Sequence, residues 1–309
     1  MKTLVLETTA PFQGLPELVA YDEGLFENEG LNIEWVDRES ADKSTDVSVT
    51  GPKGLDPFSS HGLMLEQGKA DMYNACEWGN YCRVQDTKVG SRQVGRRAIV
   101  SYAAIVVRPD SAVFTAQQLA GKPVGVPFYF GTHYLALHLL EGFLPRDQIR
   151  LARTSNGSRH RYDAMMKGEV EATTLTEPYI TLAEKKGCRL ICGAFYHGTE
   201  VASDRVDAET YAAFNRAVRE AVRRINANKR AYLRYFIDYH KAKDKEIAAL
   251  KPEDLRESRV VVCDPAPIPL DEMRRTYDWL KSWGMLEQTA TPLELVNLEV
   301  QKQAHMAAE

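Results

Sequence analysis

The sequence predicts an α/β protein built on open, doubly wound sheets, and three observations carry that expectation. Short β-prone runs alternate with helical patterns over the first two thirds of the chain, as parallel strands joined by helical crossovers require. Clusters of Gly, Pro, Asn, Asp and Ser punctuate the runs. A length of 309 residues with 44% hydrophobic content supports a substantial core divided between two lobes.

The elements follow in order. Thr3 to Glu7 reads as a strand, Thr8 to Gly14 as a loop, and a helix follows from about Leu15, with Pro16 in its first turn, where a missing N–H costs nothing. Leu31 to Val36 alternates like a half-buried strand. The polar stretch from Asp37 to Ser60 reads as a loop around a short strand at Val47–Val49. A short helix at Gly62–Gly68 leads into Ala70–Asn74, and Gly79 to Val84 opens another helix. Ala98 to Arg108 is strongly β-prone and stops at Pro109. A second set of units follows: helix Thr115–Ala120, strand Pro123–Val126, helix Thr132–Gly142, strand Ile149–Leu151, helix Arg161–Lys167, strand Ala172–Leu175, helix Pro178–Lys186 and strand Arg189–Ile191. From Ala208 the pattern is helical, with segments at Tyr211–Asn226, Arg230–Tyr239 and Leu270–Trp283.

Composition excludes several classes of function. The net charge is −4, and Lys and Arg are spread along the chain, so no nucleic-acid footprint is expected. The densest basic stretch, Arg216 to Arg234, has apolar residues at helical spacing and reads as a solvated helix face. At the N-terminus Leu4-Val5-Leu6 ends at Glu7, short of the roughly 7 apolar residues of a secretory signal. No run approaches the roughly 18 apolar residues of a membrane span. The expectation is a cytoplasmic location for the sequence as it stands, and a periplasmic one if a leader has been removed. Five cysteines cannot all pair within one chain, so at least one is a free thiol. The Cys76/Cys82 and Cys188/Cys192 spacings lack the two-residue gap of a zinc knuckle and have no paired His beside them. No metal and no cofactor are expected.

Four segments carry a family resemblance. "LPELVAYDEGLFENEGLNIEWV" (Leu15–Val36), "LEQGKADM" (Leu65–Met72), "AQQLAGKPVGVP" (Ala116–Pro127) and "MMKGEVEATTLTEPY" (Met165–Tyr179) occur in the same order as similar segments of the nitrate/sulfonate/taurine-type substrate-binding proteins of ABC transporters and their thiamine-pyrimidine-synthase relatives. The chain resembles that family over roughly its first two thirds. The resemblance implies a type II periplasmic-binding-protein fold, two doubly wound lobes around a central cleft. Lobe one would comprise about residues 1–100 with 200–309 returning to it, and lobe two 101–199. The cleft would lie at the carboxyl ends of strands, where open α/β sheets bind ligands in general.

Loops that leave strands and open helices supply the candidate ligand-binding residues, because helix N-termini offer free N–H groups and a positive dipole end. In the loop Phe128 to Tyr134, Gly131 admits close backbone approach, Thr132 is placed to cap the helix, and Tyr129 offers stacking surface. The alternative is a plain turn with Phe128 and Phe130 in the core. The first loop contributes Thr8, Thr9, Phe12 and Gln13, against an ordinary helix start. The loop from Asn74 to Gly79 contributes Cys76, Glu77 and Trp78, against a buried structural thiol beside a surface carboxylate. Glu177 and the crossover residues Tyr102 and His197 complete the set, although Glu177 equally reads as a charge at a helix N-terminus.

Two classes of function follow. The first is a binding protein for a small organic anion (sulfonate, sulfinate or carboxylate), with an ABC permease as partner if the chain is exported. The second is a cytoplasmic enzyme on the same scaffold, desulfinase- or decarboxylase-like, with Cys76 as nucleophile and His133 or His61 as base. The cysteine-rich motif of the pyrimidine synthases is absent, and the first loop has Thr8 and Thr9 where desulfinase-like enzymes have a Cys.

Overall fold

The computed structural model describes residues 1–40, 61–87, 92–155, 157–286 and 291–306; the strand expected at Val47–Val49 lies outside them. Eleven strands are formed among the described residues: β1 (Lys2–Glu7), β2 (Leu31–Val36), β3 (Met72–Cys76), β4 (Arg92–Arg96), β5 (Ile99–Val107), β6 (Val124–Val126), β7 (Leu151–Arg153), β8 (Ala172–Thr176), β9 (Arg189–Tyr196), β10 (Gly198–Ala202) and β11 (Val261–Val262). The chain divides into two compact units. The first is Met1–Val100 with His197–Asn228 and Val262–Glu309; the second is Ser101–Tyr196 with Lys229–Val261.

The sheet of the first unit runs β2-β1-β3-β10-β4. β1 pairs in parallel with β2 and β3, while β10 is antiparallel to both β3 and β4. Because β1 has partners on both edges and the following strands pass to opposite sides, its carboxyl end is a topological switch point. The helix after it starts at Pro11, earlier than expected, because proline's fixed φ suits the first helical position. Pro16 then lies inside the helix rather than in its first turn, and Gly14 leaves helical geometry (φ −144°, ψ 34°) between the two prolines. A proline ring clashes with the carbonyl one turn back, and the break at Gly14 accommodates it. Gly14 also leaves room for Thr9, whose methyl would lie 2.2 Å from an added Cβ.

Helix Ala208–Ala227 closes the unit's core, with Tyr211, Phe214, Val218, Val222 and Ile225 buried at helical spacing. Phe214 stacks on Phe26 at 5.4 Å between ring centroids. Asp207 caps the helix by accepting the Thr210 N–H at 2.8 Å. The basic stretch is ion-paired along the protein surface: Arg216 meets Glu29 at 2.7 Å, and Arg224 meets Glu23 at 2.7 Å.

In the second unit the sheet order is β5-β8-β6-β7, with β9 on the other edge of β5 and β11 at its beginning. β6 is parallel to β7 and β8, whereas β5 is antiparallel to β8 and β9. The sheets are therefore mixed, not wholly parallel. β6 lies between strands that follow it in the chain, so its carboxyl end is the second unit's switch point. Ile105, Val107, Leu119, Val124, Val126, Ala136 and Leu140 form the core beneath it. Each of the Ile, Val and Leu side chains, fully buried, contributes about 1.5–3 kcal/mol. The helix expected at Thr115–Ala120 is a single 3-10 turn, Ala116–Leu119, held by a capping box in which the Gln118 side chain accepts the Thr115 N–H at 3.0 Å.

Residues 229–261 were expected to return to the first lobe, and they pack with the second unit instead. Polar contacts hold them there. Tyr179 donates to Asp244 at 2.8 Å, Arg159 meets Glu246 at 2.8 Å, and Arg259 bridges Glu177 (2.9 Å) and Glu184 (2.8 Å). Ile247, Leu233, Phe236 and Val260 of the segment are buried as well. β4, β10 and the terminal helix Leu298–Met306 were not anticipated, because their apolar and polar residues do not alternate at a readable period.

Candidate functional site

The second unit gathers polar donors at the carboxyl ends of β6, β7 and β8. After β6, Pro127 to Phe130 lead into helix Gly131–Glu141, whose N-cap is Phe130 with no side-chain cap bond. Thr132 is therefore not the cap that the sequence suggested; it is buried in the first turn. The N–H groups of Gly131 and Thr132 open the helix, whereas the His133 N–H is already donated to the Phe130 carbonyl at 2.8 Å. Tyr129 sits at φ +67°, a left-handed conformation costing a non-glycine residue about 1–2 kcal/mol. Its N–H donates to His133 Nδ1 at 2.9 Å, which holds it there. His133 is thereby an acceptor in a dry ring cluster with Phe128 and Tyr129, and burial pushes its pKa down to about 4.

After β7, helix Ser158–Met166 starts at the same end of the sheet. Arg161, 3% exposed, donates from Nε to the Thr174 carbonyl at 2.8 Å and from Nη2 to Ser158 Oγ at 2.8 Å. Ser158 Oγ lies 3.3 Å from Thr176 Oγ1 at the end of β8. Burial lowers the Arg161 pKa to about 10, with the Tyr196 and Tyr179 hydroxyls acting in the opposite direction, so its charge persists at neutral pH. One strand over, Tyr102 pairs with Phe195 across β5 and β9, their rings 5.0 Å apart, with Phe195 42% exposed. The Arg259 guanidinium lies 5.6 Å from the Tyr102 ring. Glu177 is committed elsewhere: its carboxylate accepts the Thr181 N–H at 3.1 Å and the Arg259 guanidinium at 2.9 Å.

The first unit gathers a different set around the ends of β1 and β3. Thr8 Oγ1 accepts the Arg38 N–H at 3.3 Å, and Thr9 donates to Asn74 Oδ1 at 3.1 Å. Phe12 is half-buried, and the Gln13 side chain is buried with its Oε1 lacking a hydrogen bond. Glu7 accepts the N–H groups of Gly62 (2.7 Å), Met64 (2.8 Å) and Leu65 (3.3 Å), and burial pushes its pKa up to about 7. Cys76 is 4% exposed and accepts the Gly79 N–H at 3.2 Å; burial raises its pKa to about 11. That is a neutral packing thiol, not an activated thiolate. Glu77 starts helix Glu77–Thr87, is buried, and has its pKa raised by desolvation. Trp78 packs 6.4 Å from Trp279, and the His197 carbonyl accepts the Glu77 N–H at 3.3 Å. His61 is buried, and desolvation first, then Arg38, Arg83 and Arg97, hold its pKa well below the usual range, so it is a neutral imidazole.

Sequence reasoning did not single out Ser158, Arg161 and Arg259, which the fold brings to the strand ends of the second unit. The available signal was positional: Gly157-Ser158 stands between strand and helix after β7, as Phe130-Gly131 does after β6. Among the described residues no group of three His, Cys, Asp or Glu is arranged to hold a metal ion, and no helix is long and apolar enough to cross a membrane.

Comparison with known proteins places the fold. No family model and no curated protein matches the sequence. Solved structures do. The alkanesulfonate-binding protein SsuA from Xanthomonas axonopodis pv. citri, bound to MOPS, is similar with a TM-score of 0.70 at 15% identity, covering 96% of this chain and 98% of that one. The desulfurization enzyme DSZB is similar with a TM-score of 0.66 at 13% identity, covering 100% of both chains. A Candida albicans protein described as having the generic periplasmic binding protein structural fold is similar with a TM-score of 0.64 at 16% identity, covering 99% of this chain and 95% of that one. The chain therefore has the periplasmic-binding-protein fold, as its sequence segments implied.

Proposed function

We propose that this protein binds a small organic anion, a sulfonate, sulfinate or carboxylate, at the strand ends of its second unit. The reading rests on one observation: the ends of β6, β7 and β8 bring together the opening N–H groups of two helices, the Ser158 and Thr176 hydroxyls and the buried Arg161 cation. Such a set suits a compact group with several acceptor oxygens. Tyr102 and Phe195 offer aromatic surface for an apolar or planar remainder. Similarity of fold to an alkanesulfonate-binding protein supports the choice of ligand class. In a transport setting the protein would be periplasmic and hand its ligand to an ABC permease. Similarity of fold to DSZB keeps an enzymatic role in view, but the buried, neutral Cys76 gives no support to a thiolate mechanism.

Anything that binds the folded state raises its melting temperature. A thermal-shift screen over alkyl and aryl sulfonates, sulfinates, aromatic carboxylates and neutral sugars should give shifts with the anions and none with the sugars. Stabilisation by neutral sugars alone overturns the reading.

A further inference from the structure

The interior of the first unit contains an ionisable pair that ligand binding does not require. Glu17, on helix Pro11–Asp22, is 2% exposed, and Glu200, on β10, is 4% exposed. Asn74 lies beside both: it faces Glu200 across the β3–β10 ladder and donates from Nδ2 to Glu17 Oε1 at 3.4 Å. The two carboxyl groups contact each other, and one oxygen on each, Glu17 Oε2 and Glu200 Oε1, has no other hydrogen-bond partner. The groups facing the pair come from three further elements: Arg97, 1% exposed, ahead of β5; Tyr211, fully buried, from helix Ala208–Ala227; and Asn74 from β3. Arg97 is the cation acting on both carboxyls, and the Tyr211 phenol is held neutral by burial. Two carboxylates and one guanidinium leave one negative charge in excess in a dry interior, where an unmatched charge is very costly.

We propose that Glu17 and Glu200 form a carboxylic acid–carboxylate pair that holds a single proton at neutral pH, making the first unit's stability proton-linked. The proton balances the charge count and turns two orphan acceptor oxygens into a donor and an acceptor. Unfolding exposes both carboxyls, which then ionise in the ordinary range near pH 4.3. Above that point the folded chain binds one proton more than the unfolded chain, so the pair's contribution to stability falls as pH rises.

Infrared difference spectra at pH 7, wild type minus Glu200→Gln, should show a protonated-carboxyl carbonyl band, the band of the partly protonated Glu7 cancelling between the two proteins. Chemical denaturation should show the ratio of the wild-type to the Glu200→Gln folding constant falling by up to tenfold per pH unit from about pH 5 to 8. Glu17→Gln should act in the same direction, so the test does not hang on one variant's folding. Absence of that band from the difference spectrum, or parallel pH dependences of wild type and variants, overturns the proposal. Neither readout involves a ligand, so failure here leaves the anion-binding reading standing.

Discussion

Arg161 reaches back along its own helix to Ser158, with Nη2 2.8 Å from the serine Oγ. The contact orients a buried guanidinium at the end of the second unit's sheet and polarises the hydroxyl beside Thr176. Replacing Arg161 by Met should lower affinity for an anion found in the thermal screen by tenfold or more, the size expected of a charge-assisted hydrogen bond worth about 1.5–3 kcal/mol. Lys should restore only part, because it lacks the planar fork. Titration calorimetry on protein shown by circular dichroism to be folded makes the measurement; unchanged affinity in Arg161→Met would remove the guanidinium from the site.

The Arg259–Glu177 pair is nearly buried, with side chains 8% and 3% exposed. Removing one partner of a buried pair leaves an uncompensated charge, and Arg259→Met should destabilise the second unit by about 3–5 kcal/mol. Urea unfolding followed by Trp fluorescence and by proteolysis of the 229–261 segment reports the loss. A midpoint equal to wild type would show that Glu184 and Glu177 do not need this cation.

Cys76 should resist iodoacetamide in the folded protein and react only on denaturation, because burial holds its pKa at about 11. Cys76→Ser should leave ligand affinity within a few-fold. Rapid labelling of Cys76 at neutral pH, lost on adding ligand, would reinstate the nucleophile.

His133 must be neutral to accept the Tyr129 N–H, and burial lowers its pKa to about 4. The unfolded chain protonates this imidazole near pH 6.5, so the folded state binds fewer protons between those values. Its contribution to stability is present above about pH 6.5 and is lost as pH falls towards 4. His133→Phe should therefore flatten the acid limb of the stability profile by up to one proton, tenfold in the folding constant per pH unit. Denaturation midpoints from pH 4 to 8 measure this, and a limb as steep as wild type would count against it.

Much of the fold was legible because local pattern and tertiary demand agree. Leu31 to Val36 alternates as a half-buried strand must, Val124-Gly125-Val126 is apolar as a central parallel strand must be, and Gly131 stands where a strand passes into a helix. Position within these strand–helix units also marks the loops at the strand ends, where open α/β sheets bind ligands in general. β10 was illegible because its five residues are all buried, including Thr199 and Glu200, so no alternation identifies it.

What the chain's own order determined is therefore the alternation of strands and helices, the two switch points and the loops that follow them. Tertiary structure alone decided which side chains in those loops remain available. Glu177 is taken by Arg259, 82 residues away, the Cys76 thiol is sealed in a dry interior, and residues 229–261 join the second unit through Asp244 and Arg259. The reason is physical: periodicity and turn chemistry act over a few residues, whereas burial, charge pairing and pKa depend on partners brought together only by the folded chain.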